Sequence, residues 1–173
     1  MGDREEHLRF GLRRLAERGR IGRLSGIYKT SPWNADGVAP LSDQPDYFNA
    51  VCSLHLESLD PFAALALLKA VEREAGRITG TSGAPRTLDL DLLFWGDQVL
   101  HSESLILPHP RIALRKFVLL PLCEVAPDWI HPVSGRTVRR MLELCPDRGR
   151  VEFLKGWKVP TETTTEKPDG SPE

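Results

Sequence analysis

The chain has 173 residues, of which 40% are hydrophobic and 27% are charged, which is the balance of one soluble globular domain with a sizeable core. Its 23 basic and 24 acidic residues give a net charge of −1, so no overall positive field points to nucleic acid or to an anionic membrane surface.

The cysteine pattern and the apolar runs indicate the compartment. Cys52, Cys123 and Cys145 are too widely spaced for a disulfide framework or a zinc site, and the first two lie in apolar runs typical of buried thiols. No apolar run reaches the length of a membrane span, and the charged N-terminus does not resemble a signal peptide. We therefore expect a cytoplasmic protein in a reducing compartment.

The N-terminal part of the chain predicts a helix followed by two strands. Leucines at helical spacing predict a helix over residues 3–18, ending at Gly19. Weak alternation predicts a strand over residues 21–28, and clear alternation predicts another over residues 47–57. Residues 31–46 between them are rich in proline, which predicts a long loop.

A second helix and a glycine-rich loop come next. Asp60 is a typical N-cap and Pro61 suits the first helical position, so we expect a helix over residues 61–75 with Gly76 as its C-cap. Residues 78–84 are small and polar, which predicts a flexible loop.

Residues 85–94 alternate strictly between apolar and polar side chains, which predicts a strand. Because successive side chains on a strand point to opposite faces, Asp89 and Asp91 share one face while the leucines between them face a core. The two carboxylates repel each other, and a divalent cation such as Mg²⁺ would relieve that repulsion while taking further ligands from phosphates. Arg86 is a candidate phosphate contact. The same pattern fits an edge strand with a polar outer face, and the pattern alone does not decide between the two.

The C-terminal half predicts a hairpin, two more helices and a tail without a core. The predicted elements are a hairpin turn at residues 95–98, a return strand at 99–100, a helix over 117–125, a short strand over 128–132, a last helix over 137–144, and a disordered tail from 159 onwards.

Four motifs follow one another along the chain. They are DQPDYFNA at residues 43–50, EREAGR at 72–77, PRTLDLD at 85–91, and PHPR at 108–111 with Arg115 and Phe117 shortly after it. In this order and spacing they resemble the hydroxymethyldihydropterin pyrophosphokinase family, and the resemblance covers most of residues 4–144. It implies a ferredoxin-like α+β fold, in which helices pack on a mostly antiparallel sheet.

The resemblance also implies a reaction. The family transfers a pyrophosphoryl group from ATP to 6-hydroxymethyl-7,8-dihydropterin in folate biosynthesis, and AMP leaves. Asp89 and Asp91 match the carboxylates that hold two Mg²⁺ ions, which neutralise the phosphates and align the displacement. Arg77, Arg86, His109 and Arg115 match the catalytic phosphate contacts, and the nucleotide-binding positions comprise these four together with Glu72 and Leu92.

The same resemblance places the pterin against Tyr47, Asn49 and Phe117, with Thr30 and Trp33 at positions that close over it. Asn49 offers a donor and an acceptor to a flat heterocycle, and aromatic rings can sandwich it. The alternation independently puts Tyr47 and Asn49 on the face opposite the apolar row. Taken singly, Tyr47 and Phe117 are also typical of core aromatics.

Two departures from the family lead to further expectations. Family members have a strand ending in Gly-Ser-Asn before the segment that residues 1–4 match, so we expect the first strand of the sheet to be absent and the fold to be less stable. Residues 78–84 lack the basic and aromatic side chains usual in the family, which predicts weaker ATP binding.

We expect one pyrophosphokinase domain over residues 1–158 and a tail over 159–173. The protein is expected to be a monomer that binds neither nucleic acid nor membrane. Two other functions remain open at this point. One is a truncated relative that binds pterin or nucleotide without turnover, and the other is an RNA-binding module, although the chain lacks the basic surplus of such modules.

Overall fold

The computed structural model describes residues 4–31, 46–76 and 87–157. Its helices are α1 (Arg4–Ala16), α2 (Pro61–Glu74), α3 (Lys116–Val125) and α4 (Val138–Glu143), with a 3₁₀ turn at Ile112–Leu114. Its strands are β1 (Arg20–Leu24), β2 (Ile27–Thr30), β3 (Tyr47–Asn49), β4 (Cys52–His55), β5 (Leu100–His101), β6 (Ile106–Leu107) and β7 (Val151–Lys155). The predicted proline-rich loop, most of the glycine-rich loop and the predicted tail lie outside the described residues.

The helices form where local signals place them. The Asp60 side chain accepts a hydrogen bond of 2.8 Å from the Ala63 N–H, which caps α2 as predicted. The helix ends just before Gly76, whose φ of +88° is a conformation that favours glycine. In α1 the acidic first turn and basic last turn complement the helix dipole. Within the described residues, no helix combines the length and hydrophobicity needed to cross a membrane.

The strands pair antiparallel throughout the described residues. β1 pairs with β4, β2 lies between β3 and β7, and β5 pairs with β6. Together with the four helices this is an α+β protein, as predicted. The ferredoxin-like arrangement of the strands stays a prediction.

Two strands predicted as continuous are each interrupted. The segment predicted over residues 21–28 divides into β1 and β2, and the segment over 47–57 divides into β3 and β4. At the break the Ser25 N–H donates to the Val51 carbonyl at 2.9 Å, and the Val51 N–H donates to Ser25 Oγ at 2.9 Å. These bonds replace the regular ladder, so the chain passes from one sheet to the other at this point.

The prediction of a strand over residues 85–94 is wrong for the part that the structure describes, because residues 87–94 belong to no β-ladder. Their backbone groups find other partners: the Leu90 N–H donates to the Glu72 side chain, and the Leu93 carbonyl accepts from the His109 N–H. The predicted hairpin is also wrong. A turn does follow at Trp95, but the next strand, β5, pairs with β6 instead of returning along residues 87–94.

In the C-terminal half the two predicted helices are confirmed as α3 and α4, and the Thr137 hydroxyl caps α4. The short strand predicted over residues 128–132 is wrong, because only an isolated bridge joins Ile130 and Thr137 there. β7, which no local pattern predicted, forms an edge of its sheet beside β2.

Two apolar clusters form much of the core of the described residues. One contains Leu15, Leu68, Val71 and Leu88, which join α1 and α2 to the segment of residues 87–94. The other consists of Ile112, Leu119, Leu122, Val138, Met141 and Cys145. The buried cysteine is Cys145, whereas Cys52 and Cys123, which were predicted to be buried, are half-buried.

Candidate active site

The segment of residues 87–94 presents its two aspartates to solvent although it is not a strand. Leu88 is only 4% exposed and packs in the core cluster with α1 and α2. Asp89 and Asp91 are exposed, and Leu90 between them is half-buried. The alternation of polar and apolar side chains is therefore confirmed, and what the sequence analysis got wrong is the hydrogen bonding of the backbone.

Asp91 lies beside two of the predicted phosphate contacts. Its Oδ2 is 3.4 Å from Nη1 of Arg115, whose guanidinium lies 5.6 Å from the centroid of the Phe117 ring. The His109 backbone N–H donates to the Leu93 carbonyl at 2.9 Å, which ties the histidine to the aspartate segment. Three residues that are distant in the sequence thus form one polar group.

Burial and the neighbouring charges determine the protonation state of His109. Burial, the largest effect, lowers the pKa of His109 below its ordinary value; Asp91 opposes this shift, and Arg115 and Arg111 add to it. The ring is therefore neutral at neutral pH. Its Nδ1 accepts a hydrogen bond of 3.2 Å from the Arg111 N–H, which assigns the proton to Nε2 and makes Nε2 a donor. Burial, followed by Arg111, also lowers the pKa of Arg115, which nevertheless stays charged.

A cavity of about 250 Å³ opens next to Asp91 and His109. Its lining includes Leu92, predicted at a nucleotide-binding position, and the residues Leu65, Lys69, Leu105 and Ile106, for which no role in the site was predicted. A signal for two of these existed, since Leu65 and Lys69 are four residues apart on α2 and share one helix face. A cavity of about 480 Å³ between α1 and α2 contains none of the predicted site residues.

A second group of predicted residues meets on the three-stranded sheet. The Asn49 amide donates a hydrogen bond of 2.8 Å to the Thr30 hydroxyl, and Thr30 is only 3% exposed. Tyr47 is opposite Thr30 in the ladder of β2 and β3, and it is 47% exposed. Phe117 lies on α3, which contacts both strands. Because Arg115 and Phe117 are two residues apart, the start of α3 links this group to the aspartate group.

Glu72 occupies a different place from the other predicted nucleotide-binding residues. Its side chain is completely buried, and its Oε1 accepts a hydrogen bond of 2.8 Å from the Leu90 N–H. Lys69 lies one helical turn away, with Nζ 3.2 Å from Glu72 Oε2. Trp33, Arg77 and Arg86 lie outside the described residues.

The donor set suits a hard divalent cation that shares its ligands with phosphate. Across residues 4–31, 46–76 and 87–157, no group of three or more His, Cys, Asp or Glu side chains could enclose a metal ion. Asp89 and Asp91 offer exposed carboxylate oxygens, which Mg²⁺ prefers, and leave its remaining positions to water and phosphate oxygens. The residues present therefore fit the magnesium that the resemblance implies.

Exposed carboxylates, an arginine and a neutral histidine beside a cavity form a combination that suits phosphoryl transfer. Comparison with known proteins identifies the family to which the chain belongs. Residues 1–127 match the family model for 7,8-dihydro-6-hydroxymethylpterin-pyrophosphokinase (HPPK), and the chain belongs to that family.

Three relatives show how far the similarity extends. The chain is 48% identical over 116 residues to a 2-amino-4-hydroxy-6-hydroxymethyldihydropteridine pyrophosphokinase of Synechocystis, covering 67% of this chain and 56% of that protein. It is 41% identical over 122 residues to the protein of the same name in Pseudomonas aeruginosa, covering 70% and 73%. It is also 34% identical over 148 residues to the folic acid synthesis protein fol1 of Pneumocystis carinii, covering 85% and 19%. The chain thus spans little more than half of the first relative and about a fifth of the last.

Proposed function

We propose that this protein transfers a pyrophosphoryl group from ATP to 6-hydroxymethyl-7,8-dihydropterin in folate biosynthesis. In the proposed reaction the pterin hydroxyl oxygen bonds to the β-phosphorus of ATP and loses its proton to water, the bond from that phosphorus to the α,β-bridging oxygen breaks, and AMP leaves. Family membership supports this proposal. The structural observation that carries it is the grouping of Asp91, Arg115 and His109 beside a cavity of about 250 Å³.

In this proposal Asp89 and Asp91 hold Mg²⁺, and two ions are expected. When bound, magnesium neutralises phosphate charge. Nη1 of Arg115 lies 3.4 Å from Oδ2 of Asp91, which supports the proposal that its guanidinium binds a phosphate oxygen next to that site. The Nε2–H of neutral His109 is a second donor, and Arg77 and Arg86 are proposed to complete the phosphate contacts.

The ATP base is proposed to occupy the cavity beside His109. Leu92, Leu105 and Ile106 give the cavity apolar walls, which suit the faces of a purine ring. Glu72 is proposed to belong to the same nucleotide site, although its carboxylate is buried beneath the aspartate segment.

The pterin is proposed to bind on the sheet against Asn49 and Thr30. Their mutual hydrogen bond fixes the orientation of the Asn49 amide and leaves its carbonyl oxygen to accept from a flat heterocycle. Tyr47 and Phe117 supply aromatic surface, and Trp33 is proposed to close over the ring. The start of α3 then brings the pterin toward the phosphates, because it carries both Arg115 and Phe117.

We also propose that residues 1–158 form one catalytic domain, which acts as a cytoplasmic monomer without nucleic acid. The pairing of β7 with β2 supports the domain boundary, because it ties the C-terminal described strand into the same sheet as Thr30 and Asn49. The near-zero net charge supports the absence of a nucleic-acid partner.

The proposal is tested by assaying AMP release with and without Mg²⁺ and the pterin alcohol. Asp91→Asn is expected to lower kcat/KM at least about 100-fold, because one of the two carboxylates proposed to hold Mg²⁺ next to the reacting phosphates is lost. Asp128→Asn is the matched control, since the Asp128 side chain is 84% exposed and lies outside the site. Full activity of Asp91→Asn would contradict the proposed site. Binding of ATP and pterin without AMP release would instead support a binding protein.

A further inference from the structure

The side chain of Glu72, on the last turns of α2, is completely buried. Taking an ionised carboxylate out of water is costly unless it is paired and hydrogen-bonded, and an apolar residue would pack this position at lower cost. The contacts of Glu72 therefore need to explain why a carboxylate occupies this buried position.

Within the described residues, two groups bind the Glu72 carboxylate. One is the ammonium of Lys69, with Nζ 3.2 Å from Oε2, which balances the charge. The other is the backbone N–H of Leu90, which donates to Oε1 at 2.8 Å. Leu90 lies directly between Asp89 and Asp91, so the buried glutamate is bonded to the peptide that joins the two exposed aspartates.

This bond matters because residues 87–94 have no β-ladder to hold them. Several contacts fix the segment instead, and three of them involve Leu88, Leu90 and Leu93. The Leu88 side chain is buried against α1 and α2, the Leu90 N–H is held by Glu72, and the Leu93 carbonyl is held by the His109 N–H. Of these three, the bond to Glu72 is the one that acts between the two aspartates.

We propose that Glu72 is a positioning residue for the proposed pyrophosphoryl transfer. It acts through the Leu90 N–H to set the relative placement of Asp89 and Asp91, and so the affinity of the site for a divalent cation together with the nucleotide. The dependence on metal and nucleotide rests on the proposed function, whereas the anchoring of the segment does not.

A positioning role and a general packing role predict different effects when the Glu72 side chain is removed. The contacts of Leu88 and Leu93 remain when Glu72 is removed, so the fold is retained and the loss is concentrated at Leu90 and at the ion site. Glutamine keeps an oxygen at the same place that accepts from Leu90, so Glu72→Gln preserves the anchor. Alanine leaves the Leu90 N–H without that acceptor.

The test compares Glu72→Ala and Glu72→Gln with Glu74→Ala, a control two residues along the same helix whose exposed carboxylate binds Arg14. Amide hydrogen exchange is measured by NMR on the full chain. In the wild type the Leu90 amide is expected to be protected like the amides within α2. In Glu72→Ala it is expected to exchange at least about tenfold faster, while the α2 amides change less.

The second readout is Mn²⁺ binding in the presence of a non-hydrolysable ATP analogue, followed by electron paramagnetic resonance. Glu72→Ala is expected to weaken Mn²⁺ binding by about 10- to 100-fold, the range for loss of a residue that orients metal ligands. Glu72→Gln and Glu74→Ala are expected to stay within about threefold of the wild type, since each keeps the Leu90 acceptor.

The outcomes separate this inference from the proposed function. A wild-type Leu90 amide that exchanges like a free amide would overturn the anchor even if Glu72→Ala did not fold. Unchanged Mn²⁺ affinity in Glu72→Ala, or an equal loss in Glu74→Ala, would overturn the positioning role. A protected Leu90 amide in a wild type that releases no AMP would refute the proposed function and confirm the anchor.

Discussion

Leu88→Ala tests how the aspartate segment is attached to the rest of the molecule. Leu88 is 4% exposed and packs with Leu15, Leu68 and Val71, so truncation removes three buried carbon atoms and leaves a cavity between α1, α2 and the segment. Buried Leu→Ala changes cost about 2–5 kcal/mol, and we expect about 3 kcal/mol here. For a chain of this length that corresponds to a Tm lower by about 6–12 °C.

The assay is urea unfolding followed by circular dichroism, with Leu144→Ala as the control. Leu144 is 46% exposed, so its truncation is expected to cost less than about 1 kcal/mol. A Leu88→Ala variant within 1 kcal/mol of the wild type would refute the conclusion that Leu88 anchors the segment.

A double-mutant cycle with Gly11 sharpens this test. Gly11 lies within α1, and a Cβ added there would be 3.1 Å from Leu88 Cδ2. Replacing a mid-helix glycine by alanine gains about 1 kcal/mol in helix propensity, and in the wild type the close contact opposes that gain. Gly11→Ala is therefore expected to stabilise the Leu88→Ala background more than the wild type, by at least about 0.5 kcal/mol. Equal effects in both backgrounds would show that the two residues are not in contact.

Three further predictions concern other parts of the structure. Asp60→Ala removes the N-cap of α2 and is expected to lower the free energy of unfolding by about 1 kcal/mol, whereas Asp60→Asn, which keeps a capping oxygen, is expected to cost less. Asn49→Ala is expected to weaken pterin binding, measured by calorimetry, at least about tenfold, because the pterin loses its hydrogen-bond partner. ATP binding is expected to be unaffected. Lys29 and then Arg150 hold the pKa of Asp46 below its ordinary value, so this carboxylate stabilises the fold above the pKa of an unfolded aspartate, and the stabilisation disappears as the pH falls through the lowered value. The stability difference between wild type and Asp46→Asn, measured by thermal unfolding, is therefore expected at neutral pH and absent in strong acid.

These last three predictions have clear contrary outcomes. An unchanged unfolding midpoint for Asp60→Ala would mean that α2 does not depend on its cap. Wild-type pterin affinity in Asn49→Ala would remove Asn49 from the pterin site. A difference between wild type and Asp46→Asn that persists in acid would show that Asp46 acts through packing and not through its charge.

Local signals were sufficient for the helices. Asp60 and Pro61 define the start of α2, Thr137 defines the start of α4, and both caps form through side-chain oxygens a few residues from the N–H groups they bind. Such contacts are contained within one turn of chain, so the sequence predicts them well.

Strand pairing depended on contacts that no local pattern contains. β7 joins the sheet because residues 151–155 meet Ile27–Thr30, more than a hundred residues earlier in the chain. In residues 87–94 the alternation correctly gave the exposure of Asp89 and Asp91. It gave the wrong backbone partners, because the Leu90 N–H bonds to a glutamate on α2 instead of a neighbouring strand.

The candidate site was likewise predictable from the sequence only in part. The motifs named Asp91, His109 and Arg115, and the structure brings them together although 24 residues separate Asp91 from Arg115. The motifs also named Glu72, but only the structure shows that its carboxylate points into the protein and holds Leu90. The walls of the cavity come from α2 and the segment before His109, which no motif joins.

The central claim is that this protein moves a pyrophosphoryl group and not a single phosphoryl group. It is tested most directly by ³¹P NMR of a reaction containing ATP, Mg²⁺ and 6-hydroxymethyl-7,8-dihydropterin. The account predicts AMP and a pterin diphosphate in equal amounts, with neither formed when the pterin is omitted. Formation of ADP, or release of AMP without the pterin, would contradict it.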